Sequence, residues 1–286
     1  MRRRSFLSAV SVAVGGFAGC VGSLGGSDPG ISMREFPERP EELTPESVTD
    51  YVATYEETRI HNYHVESGAT EISVETVATL DYEANGGFHV TTQHAGTIHR
   101  DRDGERDVSE LYSALIPYRV TNGSTTRLDI ERVRARAVND GVGGGETAGS
   151  ETGSDGSTDD ETGSDERGTG ETDDGGDTVD PPFGVRVVNV TDHPGEVTVT
   201  VVSDGGDGTP VSEVGVAAGP ESAVVVAPMA TAPGTYRMVA RFEENGVIGE
   251  GRADVELPGV DRESNVDVLL SPDGLSTRIL PAFEHL

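Results

Sequence analysis

A 43-residue stretch near the middle of the chain constrains the fold more than any other feature of the sequence. Residues 139–181 hold 14 acidic residues and one arginine, with only three aliphatic side chains. A segment of this composition buries too little apolar surface to offset the entropy lost on folding, and its charges repel one another. A Glu-Thr-Gly-Ser-Asp sequence at 151–155 recurs at 161–165 without the apolar residues that stacked repeats need. We predict a disordered acidic linker at 139–181 between domains at 33–138 and 182–286.

The charge composition excludes several classes of protein. The 286 residues carry a net charge of -30, with no lysine and one cysteine. Such a chain repels nucleic-acid phosphate, and a single cysteine forms no internal disulfide and no cysteine zinc cluster. Short carboxylates hold water and cations, and molar salt screens their mutual repulsion. The acidity therefore indicates adaptation to salt, and it does not by itself indicate a binding site.

The N-terminus has the pattern of an export signal. Arg3 and Arg4 are followed by Phe6 and Leu7, which is typical of twin-arginine export. Residues 6–19 then form an uncharged, mostly apolar stretch that is too short to span a bilayer. We predict a signal peptide at 1–19, with the folded protein exported from the cell.

The only cysteine lies where a lipoprotein signal would be cleaved. Small residues precede Cys20, and Cys20 is the single cysteine of the chain. We predict that it carries a lipid, that residues 20–32 form a tether, and that the protein sits on the outer face of the cell membrane. The alternative is an ordinary secretory signal with an incidental cysteine.

The region at 33–138 begins with a helix pattern and continues with strand patterns. Thr44 is a good N-cap before Pro45, and apolar residues follow at helical spacing: Val48, Tyr51, Val52 and Tyr55. Alternating residues then begin at Ile72, with a turn at 85–87, a return strand at 88–94 and a second hairpin at 112–121 and 125–137. We predict an α+β domain, with one helix on an antiparallel four-stranded sheet.

The region at 182–286 has only strand patterns. Gly, Pro, Asn and Asp separate eight β-like segments, at 185–190, 196–202, 211–216, 222–227, 234–243, 247–256, 265–270 and 276–280. This spacing is typical of a β-sandwich. The Pro-Gly-Thr-Tyr-Arg run at 233–237 resembles the turn into a late strand of immunoglobulin-like domains. We predict an all-β, immunoglobulin-like sandwich, although the Cys and Trp residues of true immunoglobulin domains are absent.

The order of these elements resembles that of uncharacterised haloarchaeal lipoproteins exported by the twin-arginine route. The resemblance rests on the export motif, on Ala18-Gly19-Cys20, and on residues 40–47 leading into the Tyr51 to Tyr55 helix. It implies a surface location and no known activity.

Two groups of residues are candidate metal ligands. His61 and His64 lie three residues apart near the helix end and could act with His89 on a strand. Asp101, Asp103 and Asp107 supply oxygen ligands suited to calcium, but their spacing is not that of an EF-hand. The alternatives are surface histidines and a solvated hairpin loop, so we assign no metal and no cofactor.

The remaining motifs are few. The chain has no GxSxG, HExxH, P-loop or GxGxxG motif in a suitable context, so no catalytic residue is nominated. Asn122 and Asn189 begin glycosylation sequons.

These observations predict a non-enzymatic, lipid-anchored surface protein that acts as a binding or assembly module. Its partners would be the membrane, through Cys20, and a surface protein or glycan. The linker would let the C-terminal region extend outward. The alternative is a ligand-binding or hydrolytic protein with its site in the α+β domain, which a concave pocket with converging polar groups would favour.

Overall fold

The computed structural model describes residues 31–102, 104–135, 182–206, 208–244 and 247–283. The predicted signal peptide, Cys20, Asp103 and the predicted linker at 139–181 lie outside the described residues. Within them the chain is mostly β-sheet with one helix. No helix in this part of the chain has the length and apolarity needed to cross a membrane.

The helix α1 (Pro45–Glu66) begins where the sequence predicts. The Thr44 side chain accepts a hydrogen bond from the Ser47 backbone nitrogen at 3.1 Å, and the Ser47 hydroxyl accepts one from the Thr44 nitrogen at 2.9 Å. This reciprocal pair satisfies two donors that a helix start leaves without partners. Val48 and Val52 are fully buried against the sheet below.

The first sheet is antiparallel and has five strands. Its strands are β1 (Glu71–Ala84), β2 (Gly87–Arg102), β3 (Glu105–Tyr112), β4 (Ile116–Thr121) and β5 (Thr125–Arg127). They run in the order β1-β2-β4-β5, and β3 pairs with the second half of β2.

The predicted number of four strands in this sheet is wrong. The charged residues around Gly104 were expected to form a solvated loop, but they extend β2 and β3 into a hairpin. Most β3 side chains are exposed, so charged residues are tolerated there at little cost.

The other strands form two further sheets. They are β6 (Asp129–Val133), β7 (Phe183–Asn189), β8 (Gly195–Ser203), β9 (Pro210–Ala218), β10 (Ser222–Ala230), β11 (Gly234–Glu244), β12 (Val247–Leu257), β13 (Val266–Ser271) and β14 (Gly274–Ile279). The second sheet has the order β14-β13-β7-β10-β6, and the third has the order β12-β11-β8-β9. All eight strands predicted after residue 182 are present.

The second and third sheets share one apolar core. Val185 and Val187 of the second sheet are fully buried in the same cluster as Val197, Val199 and Met238 of the third. The two sheets therefore pack face to face.

The second sheet is also covered on its other face. Every residue of β7 and β13 is buried, because alternate side chains point toward the first sheet. Val188 and Leu269 from these strands cluster with Tyr82 and Ala84 of β1. The layers thus follow the order helix, first sheet, second sheet, third sheet.

The predicted outward movement of the C-terminal region does not fit this packing. Strand β6, which precedes the predicted linker, pairs in parallel with β10 of the second sheet. The regions before and after the linker are therefore joined by strand pairing as well as by buried side chains.

Candidate functional site

Two groups of polar side chains, most of them buried, lie on opposite faces of the first sheet. We call Glu56, Arg59, His94 and Tyr118 the helix-side cluster, because they lie between α1 and the sheet. The charged groups on the opposite face, where the first sheet meets the second, are described below.

Glu56 is the centre of the helix-side cluster and is fully buried. Arg59, one helical turn further on, donates to its carboxylate from Nε at 2.7 Å and from Nη2 at 2.9 Å. The Tyr118 hydroxyl donates to Oε2 of the same carboxylate. Nδ1 of His94 lies 3.3 Å from Oε1, within ion-pair distance but outside good hydrogen-bond geometry.

These contacts keep Glu56 ionised. Burial alone would raise the pKa of its carboxyl group, but the contacts from Arg59, His94 and Tyr118 outweigh burial and lower the pKa to about 2. Burial and the Glu56 charge together raise the pKa of Tyr118, so its hydroxyl keeps its proton and remains a donor. A buried, ionised carboxylate therefore lies next to the His94 imidazole at neutral pH.

His94 also lines a cleft of about 530 Å³ beside the cluster. Ser113 lies beside His94, just after the end of β3: its backbone nitrogen donates to the His94 carbonyl, and its Oγ accepts from the His94 backbone nitrogen, both at 2.9 Å. The other lining residues come from the β3–β4 connection, β4, β5 and β6: Ala114, Leu115, Ile116, Arg127, Asp129, Ile130 and Arg132.

The cleft contains charges that the protein itself does not neutralise. Arg132 pairs with Glu263 through two contacts of 2.8 and 3.1 Å. By contrast, the exposed side chains of Arg127 and Asp129 make no hydrogen bond or salt bridge with any residue in the described ranges. The cleft therefore offers one unpaired cation, one unpaired carboxylate and an imidazole.

The second group, which we call the seam network, joins the first two sheets and consists of Asp81, Thr91, Arg186, Arg262 and Asp267. Arg186 donates to Asp267 at 2.8 and 2.7 Å and to Asp81 at 2.8 Å. Arg262 donates to the other oxygen of Asp81 at 2.8 Å. All four charged side chains are at most 4% exposed.

The seam network is electrically balanced, with two arginines and two aspartates. Burial would raise the pKa of Asp81, but Arg186 and Arg262 outweigh it and hold that pKa below its usual range. Thr91 donates to Asp81 at 2.6 Å and accepts from both arginines at 3.0 Å. Most of its polar atoms bond to one another, so the network joins the two sheets. Nε of Arg262 is buried without a hydrogen-bond partner among the described residues.

The structure disperses the predicted metal ligands. Nε2 of His61 lies 3.0 Å from the Ser32 carbonyl, Nδ1 of His64 lies 3.2 Å from Nη2 of Arg100, and His89 stacks on Tyr82 on the opposite face of the sheet. Across the described ranges, no three His, Cys, Asp or Glu side chains are placed to hold a metal ion.

The expectation that these histidines lie on the surface is wrong, since His61, His64 and His89 are all buried. Burial, with the nearby Arg186 and Arg119 charges, lowers the pKa of His89 to about 3, so this imidazole stays neutral. Asp101 and Asp107 lie on β2 and β3, in register opposite Arg106 and Arg100.

The two sequons differ in accessibility. Asn122 is exposed in the turn between β4 and β5. Asn189 is fully buried, and its Nδ2, the atom to which a glycan would be attached, donates to the His193 and Ala218 carbonyls at 2.8 and 3.1 Å.

Sequence reasoning missed the helix-side cluster and the seam network, although both left a signal. Glu56 follows Val48 and Val52 at intervals of four residues, so it lies on the apolar face of the helix. Arg186 and Asp267 each interrupt an otherwise apolar strand. A charge at such a position is buried and needs a partner.

Comparisons with known proteins give no family for this chain: no protein family, curated protein or solved structure matches it.

Proposed function

We propose that the protein is an exported, lipid-anchored surface protein of a salt-adapted archaeon that serves as a non-enzymatic binding module. In this proposal Arg3 and Arg4 direct export and Cys20 carries the lipid. The α+β region and an immunoglobulin-like β-sandwich act together as one rigid body, and a surface ligand binds in the cleft beside His94.

The unpaired charges of the cleft carry this proposal. In a chain with a net charge of -30, most described arginines have acidic partners, yet Arg127 faces a cleft without one. The cleft lies where the first sheet meets β6, and ligand sites are common at such junctions between packed units. The buried Glu56 carboxylate lies 3.3 Å from Nδ1 of the His94 ring, which lines the same cleft.

Binding is favoured over catalysis by the position of Ser113. Its Oγ accepts a hydrogen bond from the His94 backbone nitrogen, which holds this hydroxyl against the strand. A serine nucleophile would also donate its proton to the imidazole ring, and among the described residues Ser113 makes no such bond to the His94 ring.

Hydrolysis is the second candidate, because a carboxylate behind an imidazole is the arrangement that orients a general base. Glu56 and His94 have this arrangement at the edge of the cleft. In that case Glu56 would position the ring, and His94 would take a proton from a water molecule.

Co-sedimentation with cell envelopes tests the proposal. Soluble Cys20→Ser protein is mixed in molar KCl with envelopes from a haloarchaeal host that lacks the protein, and the bound fraction is measured. His94→Ala and Arg127→Gln are each expected to weaken binding about tenfold, the cost of one hydrogen bond to the ligand. Arg134→Gln, an exposed arginine that does not line the cleft, is the matched control.

Two results would contradict the proposal. One is envelope binding that is unaffected by both cleft variants. The other is hydrolysis of a chromogenic ester by the wild type that His94→Ala abolishes, which would favour the second candidate.

A further inference from the structure

We infer that the cleft beside His94 binds an acidic sugar, meaning a ring with several hydroxyl groups and one carboxylate. This inference rests on the proposed function, since it names the ligand class of the same site. It follows from the chemistry of the polar groups that the cleft leaves without partners.

Arg127 supplies the contact for the carboxylate. Its side chain lies on the same face of the sheet as Tyr118, its register partner on β4. The planar guanidinium fork matches a carboxylate with two parallel hydrogen bonds. Since Arg127 has no salt-bridge partner in the described ranges, a ligand carboxylate displaces no partner within them.

His94 and Asp129 supply acceptors for hydroxyl groups. The His94 ring lines the cleft with Nδ1 3.3 Å from the Glu56 carboxylate, and a neutral imidazole has one nitrogen that accepts a hydrogen bond. The Asp129 carboxylate is a second acceptor in the same cleft. Hydroxyl groups donate to both, whereas a simple anion donates to neither.

This combination separates an acidic sugar from other small ligands. A dianion such as phosphate would be attracted by Arg127 but repelled by Asp129 more strongly than a single carboxylate would be. A neutral sugar would leave Arg127 unpaired, and acetate would leave both acceptors unpaired. An amino acid would place its ammonium group on Asp129, so it is the main competitor. A cleft of about 530 Å³ lies within the usual size range of small-molecule sites.

Titration calorimetry with four simple probes tests the inference. The full protein is purified from the haloarchaeal host. It is then titrated in molar KCl with glucuronate, glucose, acetate and glycine. We expect glucuronate to bind at least tenfold more tightly than each of the other three. In Arg127→Gln the preference for glucuronate over glucose should disappear. In Asp129→Asn glucuronate should bind several-fold more weakly, whereas acetate binding should not weaken, since acetate donates no hydrogen bond to Asp129.

The matched control is Arg134→Gln, which removes the same charge at an exposed position outside the cleft and should leave all four affinities unchanged. Circular dichroism in the same buffer establishes that each variant is folded. Equal binding of glucuronate and acetate, preferential binding of glycine, or unchanged glucuronate binding in Arg127→Gln would overturn the inference.

The two proposals can fail separately. If glucuronate does not bind but envelope binding still depends on His94 and Arg127, the acidic-sugar inference is wrong and the binding site remains. If envelope binding depends on neither residue, the proposed function itself is wrong.

Discussion

Replacing Arg186 with methionine tests whether the seam network holds the two regions together. Methionine keeps much of the apolar volume of arginine but removes its charge and all of its donors. The change deletes two contacts to Asp267, one to Asp81 and one to Thr91. Asp81 keeps Arg262 as a partner, whereas the fully buried Asp267 side chain keeps, within the described part of the chain, only the hydroxyl of Tyr82.

The expected cost is large because one half of a buried ion pair is left behind. Removing one partner of such a pair destabilises a protein by about 3–5 kcal/mol. Burial already raises the pKa of Asp267, and the loss of Arg186 raises it further. Between the unfolded and the folded pKa, Asp267 of the folded variant keeps a proton that the unfolded chain has released. Its stability therefore falls with rising pH, by about 1.4 kcal/mol per unit from the unfolded pKa of about 3.9 up to the raised folded pKa.

The control is Arg132→Met, which removes the same kind of residue from an exposed pair. Arg132 and Glu263 are 44% and 36% exposed, and exposed pairs contribute at most about 1 kcal/mol. In molar salt, where charges are screened within about 3 Å, this contribution should vanish while the cost of Arg186→Met persists. Urea unfolding followed by circular dichroism, at 0.5 M and 3 M KCl and at pH 5 and pH 8, measures both.

Adding Asp267→Asn to Arg186→Met should restore part of the lost stability, because it removes the stranded charge. The reasoning fails if Arg186→Met costs no more than Arg132→Met in 3 M KCl, or if its cost is the same at both pH values.

Three further predictions follow from the sequence and the two clusters. Cys20→Ser should move the protein from the membrane to the medium, as cell fractionation would reveal; identical partition of wild type and variant would refute lipidation. Because Glu56 has a pKa of about 2 when folded, against 4.5 for a free side chain, wild-type stability should fall by about 3 kcal/mol as pH drops through this interval. Glu56→Gln should lack this pH-dependent loss, as acid titrations followed by circular dichroism would measure. Residues 182–286 expressed alone should be less stable than the full chain at every salt concentration, since Arg186 and Asp267 lose Asp81; equal thermal midpoints would contradict this.

Local elements could be predicted from the sequence because each has its own signal. The Thr44 cap and the spacing of Val48 and Val52 define the helix, and turn residues separate the eight later strands. The extension of β2 and β3 into a hairpin was not predicted, because its alternating acids and arginines give no apolar face. An exposed strand does not need an apolar face to form.

The packing of the sheets could not be predicted in the same way. A strand buried on both faces, such as β7, reads as a continuous apolar run, and such a run does not say what covers its second face. The partners of Arg186 lie 81 residues away at Asp267 and 105 residues away at Asp81, and no local pattern links them. The cleft likewise depends on β6 lying beside β10, which periodicity does not encode.

The position of the acidic segment in the topology changes what its deletion should do. Val133 at the end of β6 and Val185 near the start of β7 both pair with Val226 of β10, on opposite sides. Val133 and Val185 therefore lie two strand spacings apart, about 10 Å, so residues 134–184 connect neighbouring points of one sheet. Closing a loop costs about (3/2)RT ln n, so replacing residues 139–181 with about six Gly and Ser residues should stabilise the protein by about 1–2 kcal/mol. Urea unfolding in molar KCl measures the change. A clear loss of stability would mean that the acidic segment packs on the folded protein, contrary to what its composition predicts.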